Sequence, residues 1–399
     1  MIPVKHYKRI DIQIVIRVLP ILLVLLGSMR WSWGQEEDPK SEDQRAETEA
    51  SEAQKDSELS SYVLVEEDSL EFVPSLSVVA TKMPTSIVST PMSVGVVNEP
   101  LFNSQHAEVM GDTLRNVSGA VAHTGSGVFD YFVIRGFDSL SSGLVLYDGA
   151  PEPESTFYHL YNVERVEVLK GPGGFLYGGN PLAGSVNLVR KEPVFENFLK
   201  AGGSFGSFAT GRGYLEFNRT NAEGNVAFRL NAFGRRSDGY RDDKENSQFG
   251  VNPAVSFSLG QRSLLTVNFE YARNDYQPDS GLPLLNSEIP EVPRTQSYQS
   301  PFDFSDQNIT RTRVDFSTFL GQSITLRNKF YFTDLDWKTD GTILPGVLPD
   351  GTGGAQVFRS LLRLDDRQKL FGNQTEALFN FGSGSIRNEL LTGFEVRRL

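Results

Sequence analysis

Cysteine is absent from this sequence of 399 residues, which excludes a disulfide framework, a thiolate metal site and a cysteine nucleophile. Histidine occurs only at His6, His106, His123 and His159, and no two stand at metal-ligand spacing. There is no Gly-x-Ser-x-Gly elbow and no dinucleotide fingerprint between a strand and a helix. The glycine-rich run GPGGFLYGG at 171–179 lacks the Gly-Lys-Ser/Thr that a phosphate loop requires. No enzyme, no cofactor and no metal site is therefore expected. Basic residues are not in excess either: the net charge is -12, which implies no surface for nucleic acid. Among apolar runs, Val18 to Leu26 falls short of the ~20 residues of a spanning helix.

That run has another reading. Lys5, Lys8 and Arg9 precede it, and Ser32 and Gly34 place small residues before a cut at Gln35, so 1–34 is expected to be a secretory signal. Arg17 and the pair Trp31 and Trp33 are departures from that pattern. From Gln35 to Ser75 the chain holds 14 acidic and 3 basic residues. Its first part, to Glu58, has no aromatic residue and cannot bury enough apolar surface to offset ordering, so a solvated linker is expected over 35–75. A charged surface helix is the alternative, since Glu and Ala favour helix, but it would have no face to pack.

The centre of the chain is Val163 to Pro193. Two β-prone runs, Val163 to Leu169 and Ser185 to Val189, enclose glycine-rich turns. In the first, Val166 and Val168 share one face and Arg165 and Glu167 the other, which predicts one buried and one charged face. Upstream, Ser104 to Arg115 has helical spacing. Tyr131 to Phe137 and Leu144 to Pro151 read as buried strands ending in turns at Gly136 and Asp148-Gly149. Composition alone would allow this pattern in any globular domain.

The wording is more specific than the composition. ERVEVLKGP, then LYG, then Pro181-x-x-Gly184-x-x-Asn187 and a closing Lys191-x-Pro193 resembles the plug domain of TonB-dependent outer-membrane receptors. IRGF (134–137) and LVLYDGAP (144–151) match plug motifs in the same order, and the IRGF form is most similar to the siderophore branch.

After Phe198 the texture changes. In Asn225 to Arg236, Val226, Phe228, Leu230 and Ala232 alternate with Arg229, Asn231 and Arg235. Ser263 to Asn274, Thr312 to Leu320, Ser323 to Asp334 and Ser385 to Glu395 repeat the pattern. Period-two runs of about ten residues are the mark of transmembrane strands, apolar outward and polar inward. Short turns (221–224, 260–262, 321–322, 382–384) alternate with the long connection 276–308, which a soluble β-sandwich would not explain. The expected fold is a mixed α/β plug domain followed by an antiparallel transmembrane β-barrel. About nine strands fit after Phe198, whereas a plugged barrel of about 22 strands would need roughly 490 residues there, so a barrel truncated at about nine strands is expected.

The expected divisions are 1–34 signal, 35–75 acidic linker, 76–83 TonB-box region, 84–197 plug and 198–399 barrel. The resemblance implies energised uptake of a ferric siderophore across the outer membrane of a Gram-negative-type bacterium, by a monomer in outer-membrane lipid. Its partner is then TonB with the inner-membrane energising complex, which draws on the proton gradient. Roughly forty linker residues are too few for the globular signalling domain that some relatives carry there. The TonB box, an extended segment that pairs with a partner's sheet edge, is assigned to Ser77, Val78, Val79, Ala80 and Thr81, with Tyr62 to Val65 as the second possibility. By motif position, Arg135, Glu164 and Glu167 are expected to form ion pairs that lock the plug. Phe129, Asp130, Tyr131, Phe157 and Tyr158 are the ligand candidates at its outward apex, although each aromatic taken singly could equally pack the plug core. Heme, cobalamin and carbohydrate stay open as substrates, as does a passive pore or surface-binding protein built on the same barrel, or a truncated receptor without transport.

Overall fold

The computed structural model describes residues 72, 74–125, 127–153, 157–178, 181–351, 354–383 and 386–399. The signal, most of the linker and the Tyr62 to Val65 segment lie outside the described residues.

In the plug, β1 (Leu76–Ser77) pairs with β2 (Thr85–Ser86), and β3 (Ser93–Asn98) leads into a short helix α1 (Glu99–Ser104). Strands β4 (Ala120–Gly125), β5 (Phe129–Ile134) and β6 (Phe137–Asp138) form an antiparallel three-stranded sheet. The central sheet has the order β3, β9 (Val163–Lys170), β10 (Gly184–Arg190), β7 (Gly143–Tyr147), β8 (Ala150–Pro151), with only the β10 and β7 pair parallel. Two tight hairpins shape these sheets. Arg135 and Gly136 have φ of 51° and 87°, and Asp148 and Gly149 have 49° and 76°. Positive φ at both central residues is the condition of a two-residue turn that matches strand twist.

The helix expected over Ser104 to Arg115 is split. It begins five residues earlier, with the Asn98 side chain accepting the Leu101 N–H at 3.3 Å and Pro100 in the first turn. It ends where His106 takes a left-handed φ of 53°. A second turn, α2 (Met110–Thr113), starts after Val109 has paired with His159. Phe102, Met110 and Leu114 from these pieces pack on Val166, Val168, Val186 and Leu188 to form the plug core. The face of β9 carrying Glu167 is also covered, with Glu167 at 0% exposure, because residues 77–81 lie over it. A charged residue on a strand can be buried when backbone donors meet it.

Nine strands follow in sequential antiparallel order: β11 (Phe198–Gly206), β12 (Thr210–Thr220), β13 (Val226–Ser237), β14 (Asn246–Ser258), β15 (Ser263–Tyr276), β16 (Phe304–Leu320), β17 (Ile324–Pro349), β18 (Ala355–Ser383) and β19 (Ile386–Arg398). Within the described residues β11 and β19 remain the two edges of this sheet. Polar Asn231, Asn252, Asn268, Gln307 and Arg313 face the plug and are buried, whereas Leu215, Phe330, Phe371 and Leu390 are exposed on the other side. That is inverted relative to a soluble sandwich and correct for a wall with lipid outside. β17 and β18 run to 26 and 29 residues, well beyond the 9–11 or so that cross a bilayer, so they project past it. Short turns lie at one rim, at 221–225, 259–262 and 321–323. The connection 277–303 and the β17 to β18 projection lie at the other. In outer-membrane barrels the short turns are periplasmic.

Candidate functional site at the plug apex and its periplasmic latch

The long-loop end of the plug carries a cavity of about 360 Å³ bordered by α2, β4, β5 and β7. Asp130, Tyr131, Phe157 and Tyr158 all line it. His123 stacks on Tyr131 with ring centroids 5.4 Å apart, and Phe157 meets Tyr276 of the wall edge-on at 4.8 Å. Tyr158 is buried, with its hydroxyl donating to the Pro153 carbonyl at 2.9 Å. Phe129 is placed differently. With Val128 it packs on Ile309, Leu335 and Trp337, so it fastens the β4–β5 turn to the wall instead of lining the cavity. The Tyr276 hydroxyl donates to the Val128 carbonyl at 2.6 Å, a second fastening of the same turn. Asp130 opens to solvent on the cavity side but is crowded by plug atoms on the others. That crowding raises its carboxyl to about 6, Thr124 opposing through a hydrogen bond and Asp112 adding to the rise.

Below the cavity stands a polar group that motif reading did not single out. Glu152, its side chain fully buried, accepts from Arg311 at 2.8 Å, from Arg313, and from the Thr333 hydroxyl at 3.2 Å. The Arg311 guanidinium sits 4.4 Å over the Tyr147 ring. The available signal was two arginines at alternate positions of a strand, both on the inward face. Other contacts between plug and wall are Lys191 to Glu216 at 2.8 Å, Arg190 to Asn268, His159 to Asn274 at 2.7 Å and Tyr161 to Glu270 at 3.2 Å. Burial would raise the plug residue Asp148, but Arg190 of the plug at 2.5 Å and Lys329 of the wall outweigh it and hold the carboxyl at about 2.

At the short-turn rim, Ser77 to Thr81 is folded against the plug. Val78 and Val79 donate their N–H groups to the Glu167 carboxylate at 3.1 and 2.8 Å. Tyr177 donates to the Val79 carbonyl at 2.8 Å, and Val79 and Ala80 are buried with Leu146 and Leu169. The next residue, Lys82, reaches the wall, pairing with Glu376 at 2.9 Å while its carbonyl accepts from Arg327 at 2.9 Å.

Of the three expected lock charges, Glu164 and Glu167 meet at Arg165, at 2.7 and 2.9 Å. This cluster lies inside the plug, and the charged contacts to the wall include those of Glu152, Lys191, Lys82 and Glu108, the last with Arg235 at 2.8 Å. Arg135 corrects the expectation: it is exposed, forms no ion pair among the described residues and reaches only the Lys170 carbonyl at 3.5 Å. A tight-turn position with positive φ directs its side chain away from the sheet.

Comparison with known proteins agrees with this architecture. Residues 86–185 match the family model described as TonB-dependent Receptor Plug Domain. The chain is 27% identical over 343 residues to the catecholate siderophore receptor Fiu of Escherichia coli K12, covering 79% of this chain and 45% of that protein. It is 28% identical over 335 residues to a protein named as the probable TonB-dependent siderophore receptor PiuA of Acinetobacter baumannii, covering 80% and 44%. The crystal structure of the E. coli ferric-catecholate import receptor in its open form superposes with a TM-score of 0.71 at 27% identity, over 79% of this chain and 50% of that one. The chain spans about half the length of the curated relatives it matches.

Proposed function

Because the chain belongs to the TonB-dependent siderophore receptors, we propose that it binds a ferric siderophore in the apical cavity and admits it through the outer membrane on energy delivered by TonB. It acts as a receptor and not as an enzyme, in outer-membrane lipid of a Gram-negative-type bacterium, as a monomer. Ser77 to Thr81 is the TonB box, and 84–197 and 198–399 are the plug and wall.

The observation that carries this reading is Leu144 of β7. This residue borders the ligand cavity, and its side chain packs on the cluster that holds Val79 and Ala80. One residue of a stiff central sheet thus touches both the cavity and the segment a partner would pull. A ligand that shifts β7 changes the packing of Val79, and so the population in which the box is released. Once released, the box offers unpaired backbone to the edge of a partner's sheet. The name of the E. coli relative makes ferric catecholates the first chelates to test.

Deleting Ser77 to Thr81 from the natural gene tests the reading. Loss of iron-chelate uptake with surface binding retained is expected. Unchanged uptake would mean a passive pore.

A further inference from the structure

We propose that the apical cavity selects a chelate bearing a cationic group, such as a protonated amine, seated against the Asp130 carboxylate at the cavity border. This rests on the receptor reading above and names the charge class of its ligand.

Three carboxylates border the cavity, and two are already satisfied. Glu152 is saturated by Arg311 and Arg313. Asp112 pairs with Arg115 at 3.2 Å and accepts the backbone N–H groups of Glu108 and Val109. Asp130 has no cation within 4.0 Å among the described residues, and its side-chain partner is the neutral Thr124 hydroxyl. The charge acting on it is the like charge of Asp112. His123 and Tyr131, which stack on each other, leave the opposite face of the β4–β5 pair. A carboxylate held in a partly enclosed site without a counter-charge is a receptor for one. A chelate with a wholly anionic surface would instead meet Asp130 and Asp112 at close range, which disfavours it.

The whole receptor, in detergent, is titrated with three probes at pH 7.5: a ferric trihydroxamate carrying a pendant primary amine, the same chelate with its amine acetylated, and a trianionic ferric tris-catecholate. The amine-bearing chelate is expected to bind at least ~10-fold more tightly than its acetylated form, the scale of one charge-assisted hydrogen bond. Asp130→Asn, nearly isosteric on an open side of the plug, is expected to abolish that difference, so that the two hydroxamates bind the variant alike. Equal affinity for the two hydroxamates, or a preference that survives Asp130→Asn, overturns the proposal. So does tightest binding of the tris-catecholate that strengthens in Asp130→Asn, an outcome that leaves the receptor reading intact. Binding of none of the three overturns both.

Discussion

Glu167 Oε2 accepts the backbone N–H of Val79 at 2.8 Å, across 88 positions of sequence, while Glu167 Oε1 pairs with Arg165 at 2.9 Å. The carboxylate that tethers the segment 77–81 is therefore itself buried and charge-compensated. Such a tether is firm while both partners remain and fails when either is removed, because the group left behind is a buried charge or an orphaned donor.

Glu167→Gln is expected to free the segment without ligand. Loss of the charged acceptor for two N–H groups and of the Arg165 pair should cost ~3 kcal/mol or more locally. Limited proteolysis in outer-membrane vesicles reads this as cleavage between 77 and 82 at least ~10-fold faster than in the unaltered protein. Tyr177→Phe removes a single hydrogen bond to the Val79 carbonyl and should give a smaller increase, on the scale of ~1 kcal/mol. Equal protection in all three proteins would refute the tether.

Glu152→Gln leaves the buried Arg313 guanidinium without its anion, while Arg311 keeps only Glu270 at 3.2 Å. A loss of ~3–5 kcal/mol in plug docking is expected, seen as a lower urea midpoint for plug release. Replacing Glu152, Arg311 and Arg313 together by Met or Leu, with Glu270→Gln because Glu270 pairs with Arg311 at 3.2 Å, should recover most of that loss, since a site without charge avoids the desolvation cost. A combined variant as weak as the single one would show that shape, and not charge, holds this site.

His159 supplies a pH dependence. Burial lowers its pKa from 6.5 to about 4, against the opposing hydrogen bond to Asn274 and with Arg311, Arg212 and Arg235 adding to the fall. The Asn274 amide nitrogen donates to Gln307 at 3.0 Å, so its oxygen faces His159 and the neutral imidazole donates through Nε2. A group whose folded pKa is depressed contributes stability that is present above its unfolded value and is lost as pH falls through the folded one. Docking should hold steady above pH ~6.5 and weaken toward pH ~4 by roughly 3 kcal/mol. His159→Gln keeps a donor to Asn274 and does not titrate, so its urea midpoint should vary less over that window.

Gly127 has φ of +68° and lies against the wall loop, where an added Cβ would stand 2.3 Å from the Asp279 backbone. Gly127→Ala is expected to push the β4–β5 turn off the wall and weaken chelate binding at least ~10-fold, with the same yield in the membrane. Gly260→Ala is the control. It shares the positive φ, 70°, but an added Cβ meets nothing within 4 Å. It should cost only the ~1 kcal/mol of backbone strain and leave binding unchanged.

The sequence by itself determined the local structure. Alternation with a period of two placed nine strands, because a wall between lipid and plug demands opposite polarity on successive residues. Gly136 and Asp148-Gly149 announced turns, because glycine and aspartate tolerate a left-handed φ, and the structure closes each as a two-residue hairpin with Arg135 and Asp148 also at positive φ. What it missed has a common cause. The split of the expected helix at His106 depends on Val109 pairing with His159, a contact from outside the segment. Arg135 reads as part of a charged motif, yet the turn geometry that makes the motif recognisable turns it to solvent. Glu152 became legible only when β16 brought Arg311 and Arg313 to it from more than 150 positions away. On the inward face of a barrel any polar residue satisfies the alternation, so the pattern says where a side chain points and nothing of which partner it meets. Tertiary structure alone decided those pairings, since a buried charge is stable only beside a specific counter-charge or donor and the chain delivers that partner from a distant strand.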